Sequence, residues 1–150
     1  MKLQRDLREF IALLNSHGVE YLLVGGHAVA FHGYPRYTGD IDFFIRPSAA
    51  NAARMLAVLS DFGFGGAGLT EDDFTRPGQV VQLGQPPNRI DILTQISGVE
   101  FDEAWVGAVV TELDELPTRI LGRDALLKNK GSTDRAKDRA DVEELLKLDS

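Results

Sequence analysis

The sequence predicts an α+β fold in which a small mixed β-sheet is flanked by helices. Apolar residues recur at helical spacing near both ends of the chain, and short apolar runs bounded by glycine or proline occupy the middle. These elements fit within 150 residues, the usual size of one compact domain. We therefore expect a single domain over residues 1–150, with the helices packed against the sheet.

The first half of the chain predicts helices and strands in alternation. In chain order these are a helix over 3–14, a strand over 19–24, a short helix over 27–31, a strand over 40–45 and a helix over 50–62. Gly18 and Gly63 mark the ends of the first and third helices, and Gly33 stops the short one. Ser48 is the predicted N-cap of the third helix.

The second half is less regular. It predicts, in chain order, a loop over 65–78 with at most one helical turn around 70–74, strands over 80–83 and 90–93, a further strand or helix at 106–113, and two helices within 122–148. The sequence GQPPN joins the two strands and confines proline to the turn, which predicts a hairpin. The pattern over 99–120 is otherwise weak. A break near Gly131 separates the last two helices.

The composition limits the classes of function that the chain can have. It has no cysteine, so a metal ion would be held by oxygen or histidine ligands. The net charge of -7 argues against nonspecific capture of nucleic acid, although basic residues are concentrated near the C-terminus. No apolar run is long enough to span a membrane and the first residues lack a secretory signal, which predicts a cytoplasmic protein with no membrane partner.

An acidic pair lies at the start of the strand predicted at 40–45. Residues two apart on a strand project to the same face, so Asp40 and Asp42 lie side by side while Ile41 faces the core. Two adjacent carboxylates repel each other unless a cation compensates them or one takes up a proton. A divalent ion such as Mg²⁺ is one such cation, and a solvated strand end is the alternative.

A third acid, Asp91, lies in a segment whose apolar residues otherwise predict a core strand. If this strand pairs beside 40–45, the three carboxylates converge, and such clusters hold the two metal ions used for attack on a phosphorus centre. The alternative is a salt bridge between Asp91 and Arg89, which projects to the same strand face. The sequence leaves both interpretations open.

Gly25 and Gly26 follow the predicted strand at 19–24 and precede the short helix. Glycine permits unusual backbone angles and close approach to backbone N–H groups, so a turn of this kind can receive a phosphate. A tight connection between a strand and a helix would need the same glycines without any ligand.

The order of these motifs, an apolar strand, GG, a short helix, DxD on a strand and a later single Asp, resembles the DNA polymerase beta-like nucleotidyltransferase superfamily. Within it, LVGGHAVAFHGYPRYTGDIDFFI is similar to the small toxin-type nucleotidyltransferase-like proteins of abortive-infection and toxin-antitoxin systems. The ending NKGSTDRAKDRADVEELL is also similar. Many members carry serine after the first glycine, where this chain has Gly26. The resemblance implies the minimal nucleotidyltransferase fold followed by C-terminal helices.

The resemblance also implies an activity, the transfer of a nucleoside monophosphate from a nucleoside triphosphate such as ATP to a hydroxyl-type acceptor. Asp40 and Asp42 would bind two Mg²⁺ or Mn²⁺ ions, and Asp91 would complete one metal site and help to deprotonate the acceptor. Gly25 and Gly26 would hold the triphosphate. A toxin-like member implies RNA or a protein as the acceptor, with an antitoxin protein as the partner, and a small molecule such as an aminoglycoside is the alternative acceptor.

Basic residues are further candidates for phosphate contacts. Arg36 lies between the glycines and the acidic pair, where its guanidinium can bind a phosphate or remain an exposed loop charge. The resemblance assigns nucleotide contacts to Lys130 and Lys137, and a solvated helix face is the alternative. Asp138 and Asp141, three residues apart, are expected to orient these lysines.

A second hypothesis keeps the fold without catalysis. In it the chain is a non-catalytic nucleotide-binding or regulatory partner within a toxin-antitoxin pair. The intact set of three acids argues against such a loss of activity. The motifs do not distinguish the nucleotide, the acceptor or the oligomeric state.

Overall fold

The computed structural model describes residues 3–148. The α-helices, in chain order, are α1 Arg5–Ser16, α2 Gly25–Phe31, α3 Ala49–Phe62, α4 Phe101–Val106, α5 Arg123–Gly131 and α6 Ala136–Lys147. The strands are β1 Tyr21–Val24, β2 Asp40–Ile45, β3 Val80–Leu83, β4 Arg89–Leu93, β5 Val109–Leu113 and β6 Leu116–Ile120. A turn of 3₁₀ helix, Glu71–Phe74, precedes β3. The fold is α+β, as the sequence predicts.

The six strands form one mixed sheet in the order β3-β4-β2-β1-β6-β5. Strand β2 runs antiparallel to β1 and parallel to β4, while β1 runs parallel to β6. All four residues of β1 are buried, as expected for a central strand covered on both faces. Because β1 and β2 are antiparallel, the end of β1 lies beside the start of β2, and Val24 pairs with Asp42.

Aromatic packing determines which face of β2 carries the acids. The ring of Phe43 lies 5.5 Å from that of Phe10 on α1 and 5.6 Å from that of Tyr21. Phe10 also contacts Phe62 on α3, at 5.1 Å between ring centroids. Since neighbouring strand residues point to opposite faces, burying Phe43 against this cluster directs Asp42 to the other side of the sheet.

The helix boundaries follow local capping chemistry. The Ser48 hydroxyl accepts a hydrogen bond from the Asn51 backbone N–H at 3.2 Å, which confirms Ser48 as the N-cap of α3. Gly63 ends α3 in the left-handed conformation with φ of 100°. The predicted break near Gly131 is also present, between α5 and α6. Among residues 3–148, no helix is long and apolar enough to cross a membrane.

The region 99–120 is where the sequence-based prediction was least accurate. Instead of one element at 106–113, it contains helix α4 and the hairpin of β5 and β6, which extends the sheet by two strands. The hairpin turns at Asp114 and Glu115, whose φ angles are 47° and 70°. Two-residue turns of this kind usually contain glycine or asparagine, so Asp-Glu carries little turn signal in the sequence.

Candidate functional site

Three acids meet at the centre of the sheet. Strands β2 and β4 are parallel neighbours, and their register places Asp42 opposite Asp91 and Asp40 opposite Arg89. Each of the three aspartates offers a carboxylate oxygen that lies within 4.8 Å of those of the other two. The structure thus brings together the acids that the sequence proposed as metal ligands, because the strands that carry them are adjacent.

Arg89 lies within the same cluster. Its Nε donates to Asp91 Oδ1 at 2.8 Å, and its Nη2 donates to Asp91 Oδ2 at 3.0 Å and to Asp40 Oδ2 at 2.8 Å. Asp91 therefore lies within the acidic cluster and also forms the salt bridge with Arg89 that the sequence left open as the alternative.

The pKa values of Asp40 and Asp42 are shifted in opposite directions. Burial, together with the charges of Asp40 and Asp91, raises the pKa of Asp42 to about 7. Burial alone would raise the pKa of Asp40 as well, but a hydrogen bond from Thr38 and the charge of Arg89 lower it. Of these two acids, it is Asp42 whose charged form is disfavoured by its protein surroundings.

Gly25 is required by its position against Asp42. Its φ of 67° lies in the left-handed region, and a Cβ atom at this residue would lie 2.0 Å from Asp42 Oδ2. At Gly26 a Cβ atom would approach the Cβ of Thr38 to 3.0 Å. A serine in place of Gly26 would therefore crowd Thr38, which gives a structural reason for glycine at this position.

The basic residues named from the sequence have different environments. Lys130 is buried, with Nζ 3.1 Å from Asp138 Oδ1 and 3.3 Å from Asp141 Oδ2. Arg36 donates two hydrogen bonds of 2.8 Å to the Asp141 carboxylate, so it is not a free loop charge. Lys137 is exposed. Of the two lysines, it is Lys130 that Asp138 and Asp141 hold in place.

Asp138 connects the two C-terminal helices through its carboxylate. It accepts hydrogen bonds from Lys130, from the Thr133 hydroxyl at 2.6 Å and from Arg135 Nε at 2.9 Å. Burial alone would raise the pKa of Asp138, but these three donors hold it below its usual value. The carboxylate is therefore ionised at neutral pH, and it fixes the side of the site formed by α5 and α6.

One cavity of about 570 Å³ lies over these residues. Every residue that the sequence proposed for metal or nucleotide binding lines it: Gly25, Gly26, Arg36, Asp40, Asp42, Asp91, Lys130 and Lys137. The donor set of carboxylate oxygens suits a hard divalent ion such as Mg²⁺ or Mn²⁺. The cavity thus combines ligands for a cation with positive side chains that suit phosphate groups.

Comparison with known proteins bears on the fold. No protein-family model matches the chain, and no curated protein matches it. Its structure is similar to that of a "putative nucleotidyltransferase" from Thermotoga maritima, with a TM-score of 0.62. The match covers 96% of this chain and 92% of that one, at 15% sequence identity. This chain has a nucleotidyltransferase-like fold.

Within this nucleotidyltransferase-like fold, the cavity also contains residues that the sequence did not single out as binding residues. Thr38 donates to Asp40 Oδ1 at 2.9 Å, and the threonine two positions before the DxD pair was an available signal. Gln82 lies opposite Asp91 because β3 pairs with β4, which no local pattern indicates. Arg135 belonged to a basic cluster in which nothing distinguished it from its neighbours.

Proposed function

We propose that this protein is a metal-dependent nucleotidyltransferase that moves a nucleoside monophosphate from a nucleoside triphosphate to a hydroxyl-type acceptor. The proposal rests on the meeting of three carboxylates from β2 and β4 beside the Gly25 turn, inside a cavity that is also lined by cations. The nucleotidyltransferase-like fold supports it.

In the proposed reaction Asp40, Asp42 and Asp91, whose carboxylate oxygens lie within 4.8 Å of one another, would hold two Mg²⁺ or Mn²⁺ ions. When bound, such ions neutralise charge on phosphoryl oxygens and make a nearby hydroxyl more acidic. A carboxylate oxygen of Asp91 receives the proton of the acceptor hydroxyl. The acceptor oxygen then bonds to the α-phosphorus while the bond from that phosphorus to the pyrophosphate oxygen breaks. The nucleoside monophosphate remains on the acceptor, and pyrophosphate leaves.

The same proposal assigns the phosphate contacts. The triphosphate lies against the turn at Gly25 and Gly26, two residues without side chains of their own that line the cavity. Lys137 is an exposed cation at the cavity and can follow a phosphate with its flexible side chain. Arg36 and Lys130 are held by Asp141, so they provide fixed positive charge at the cavity wall.

Calorimetric titration of the purified protein with ATP, GTP, CTP and UTP in the presence of Mg²⁺ tests the binding step. We expect one or more of these nucleotides to bind the wild-type protein and to bind Asp42→Ala much more weakly. Asp124→Asn is the matched control, because Asp124 is an exposed acid on α5 outside the cavity. A folded wild-type protein that binds none of the four nucleotides would contradict the proposal.

A transfer assay with labelled nucleotides distinguishes catalysis from the rival function, a non-catalytic nucleotide-binding or regulatory partner of a toxin-antitoxin pair. We expect Asp42→Ala to lose transfer by about a hundredfold or more, since removing one group that stabilises transition-state charge has effects of that size. Nucleotide binding without transfer to any acceptor would favour the rival function.

The acceptor and the partner are finer parts of the proposal, and they rest on the sequence motifs. The toxin-type motifs favour RNA or a protein hydroxyl as the acceptor and an antitoxin protein as the partner. Mass spectrometry of cellular RNA and protein after expression would identify the modified molecule. An added nucleoside monophosphate that disappears with Asp42→Ala is the expected result.

A further inference from the structure

Arg89 uses the same carboxylate oxygens that the proposed metal site needs. Both oxygens of Asp91 and one oxygen of Asp40 accept hydrogen bonds from its guanidinium, at 2.8 to 3.0 Å. The other oxygen of Asp40 accepts from Thr38 at 2.9 Å. In the described part of the chain, Arg89 pairs with Asp40 and Asp91 and leaves Asp42 aside. Two of the three candidate ligands therefore already have a cation.

The sheet itself creates this arrangement. Arg89 is the first residue of β4, directly opposite Asp40 on β2 and two residues before Asp91 on the same strand face. Its fork-shaped side chain can therefore contact both acids at once. About 27% of the side chain remains exposed, so the guanidinium can leave the acids without disturbing the buried core.

A divalent ion and this guanidinium compete for position. Mg²⁺ draws its oxygen ligands to about 2.0–2.1 Å and is sensitive to their geometry, whereas the guanidinium holds the same oxygens in its own donor geometry. Two cations this close also repel each other. A freed arginine would remain beside the cavity, where it suits a phosphate group.

We propose that Arg89 is an internal counter-cation that competes with divalent metal ions for Asp40 and Asp91. Metal uptake then requires the guanidinium to move off these carboxylates, and Arg89 lowers the metal affinity of the nucleotide-free protein. This inference rests on the metal site of the proposed function. It differs from a purely positioning role, in which Arg89 would hold the acids in place and thereby strengthen metal binding.

The experiment is a titration of the full chain with Mn²⁺ alone, followed by electron paramagnetic resonance of free Mn²⁺ and by calorimetry. We expect Arg89→Gln to bind Mn²⁺ about tenfold more tightly than wild type, as expected for the loss of a nearby competing charge. Arg89→Lys retains the positive charge but not the fork-shaped guanidinium, and its affinity for Mn²⁺ is expected to lie between those of wild type and Arg89→Gln. Circular dichroism and thermal unfolding establish that each variant is folded.

Arg135→Gln is the matched control, because Arg135 lines the same cavity and carries the same charge but pairs with Asp138 instead of the three acids. Equal tightening in this variant would overturn the proposal, since a general charge effect would then suffice. Unchanged or weaker Mn²⁺ binding by folded Arg89→Gln would also overturn it and would leave the metal site intact. Absence of Mn²⁺ binding in wild type and in every variant would instead remove the metal site and the proposed function with it.

Discussion

Gly25 occupies a position that no other residue type fits. Its backbone is left-handed, and its missing side chain leaves room for the carboxylate of Asp42. Asp42 in turn sits beside two further acids, so its pKa is raised to about 7 by burial and by their charges. Gly25 thus makes room for a carboxylate whose pKa is raised by burial and by the two neighbouring acids.

We expect Gly25→Ala to destabilise the protein by about 1–3 kcal/mol through backbone strain, and by more if the Asp42 carboxylate cannot move. Mn²⁺ binding is expected to fall as well, because the new Cβ atom would lie 2.0 Å from Asp42 Oδ2 and force the carboxylate to move. Urea unfolding and Mn²⁺ titration measure the two effects. Gly66→Ala is the control, since Gly66 has no atom within 4 Å of the added Cβ. Similar losses in both variants would refute the explanation.

Asp42 also predicts how the stability of the metal-free protein depends on pH. The ordinary pKa of an aspartate is 3.8 and that of Asp42 in the folded protein is about 7, so between these values the native state holds a proton that the unfolded state lacks. The free energy of unfolding therefore falls as the pH rises towards 7. The lowered pKa of Asp40 acts in the opposite direction, but at more acidic pH.

Asp42→Asn removes this titration. Between about pH 5 and pH 7, we expect the free energy of unfolding of the variant to rise by roughly 2 kcal/mol relative to that of wild type, because each unit of pKa shift corresponds to about 1.4 kcal/mol. We expect little further change at higher pH. Urea unfolding in the presence of a chelator measures it, and Asp124→Asn serves as the control for an exposed acid. A constant difference between wild type and Asp42→Asn across this range would show that Asp42 is not perturbed.

At the scale of elements, the site depends on two packing arrangements. The parallel pairing of β2 with β4 places two acidic strands side by side. The buried network of Lys130, Asp138, Asp141 and Arg36 joins α5 and α6 to the loop before β2. Such a network is weak evidence for stability in itself, but removing one member leaves uncompensated buried charge.

We expect Lys130→Met to lower the free energy of unfolding by about 3–5 kcal/mol, because the buried carboxylates of Asp138 and Asp141 then lose one of their cationic partners. Lys147→Met is the matched control on α6, because this lysine pairs with Glu144 at the surface, where an ion pair adds little to stability. Chemical unfolding of the two variants provides the comparison. Equal losses would mean that the buried position of Lys130 has no special energetic role.

At the scale of the whole molecule, the acids belong to a chain with a net charge of -7. They also belong to two neighbouring strands, so an ion bound between them would connect parts of the sequence about fifty residues apart. Metal binding should therefore stabilise the folded chain as a unit.

We expect Mg²⁺ at about a hundredfold above its Kd to raise the thermal midpoint of the wild-type protein by roughly 5–10 °C. A ligand at this concentration that binds only the folded state stabilises it by about 2.7 kcal/mol. Asp42→Ala should show little of this shift. Sodium chloride at equal ionic strength controls for screening of the net charge. A shift of the same size with sodium chloride, or in Asp42→Ala, would argue against a specific site.

Much of the first half of the fold could be predicted, because apolar spacing and capping residues act locally. The DxD pair could be placed on one strand face for the same reason, since strand residues alternate between faces. The hairpin of β5 and β6 could not, because its turn at Asp114 and Glu115 lacks the usual glycine or asparagine. The two strands are stabilised by pairing with each other and by the pairing of β6 with β1, which is distant in the sequence.

The sequence by itself determined which side chains could bind a metal and a phosphate, and on which strand face each acid would lie. Only the tertiary structure decided that β2 and β4 are neighbours, that Arg89 spans Asp40 and Asp91, and that Lys130 is buried against α6. The physical reason is range. Side-chain direction follows from the geometry of a few consecutive residues, whereas strand neighbours and buried ion pairs depend on contacts between distant parts of the chain.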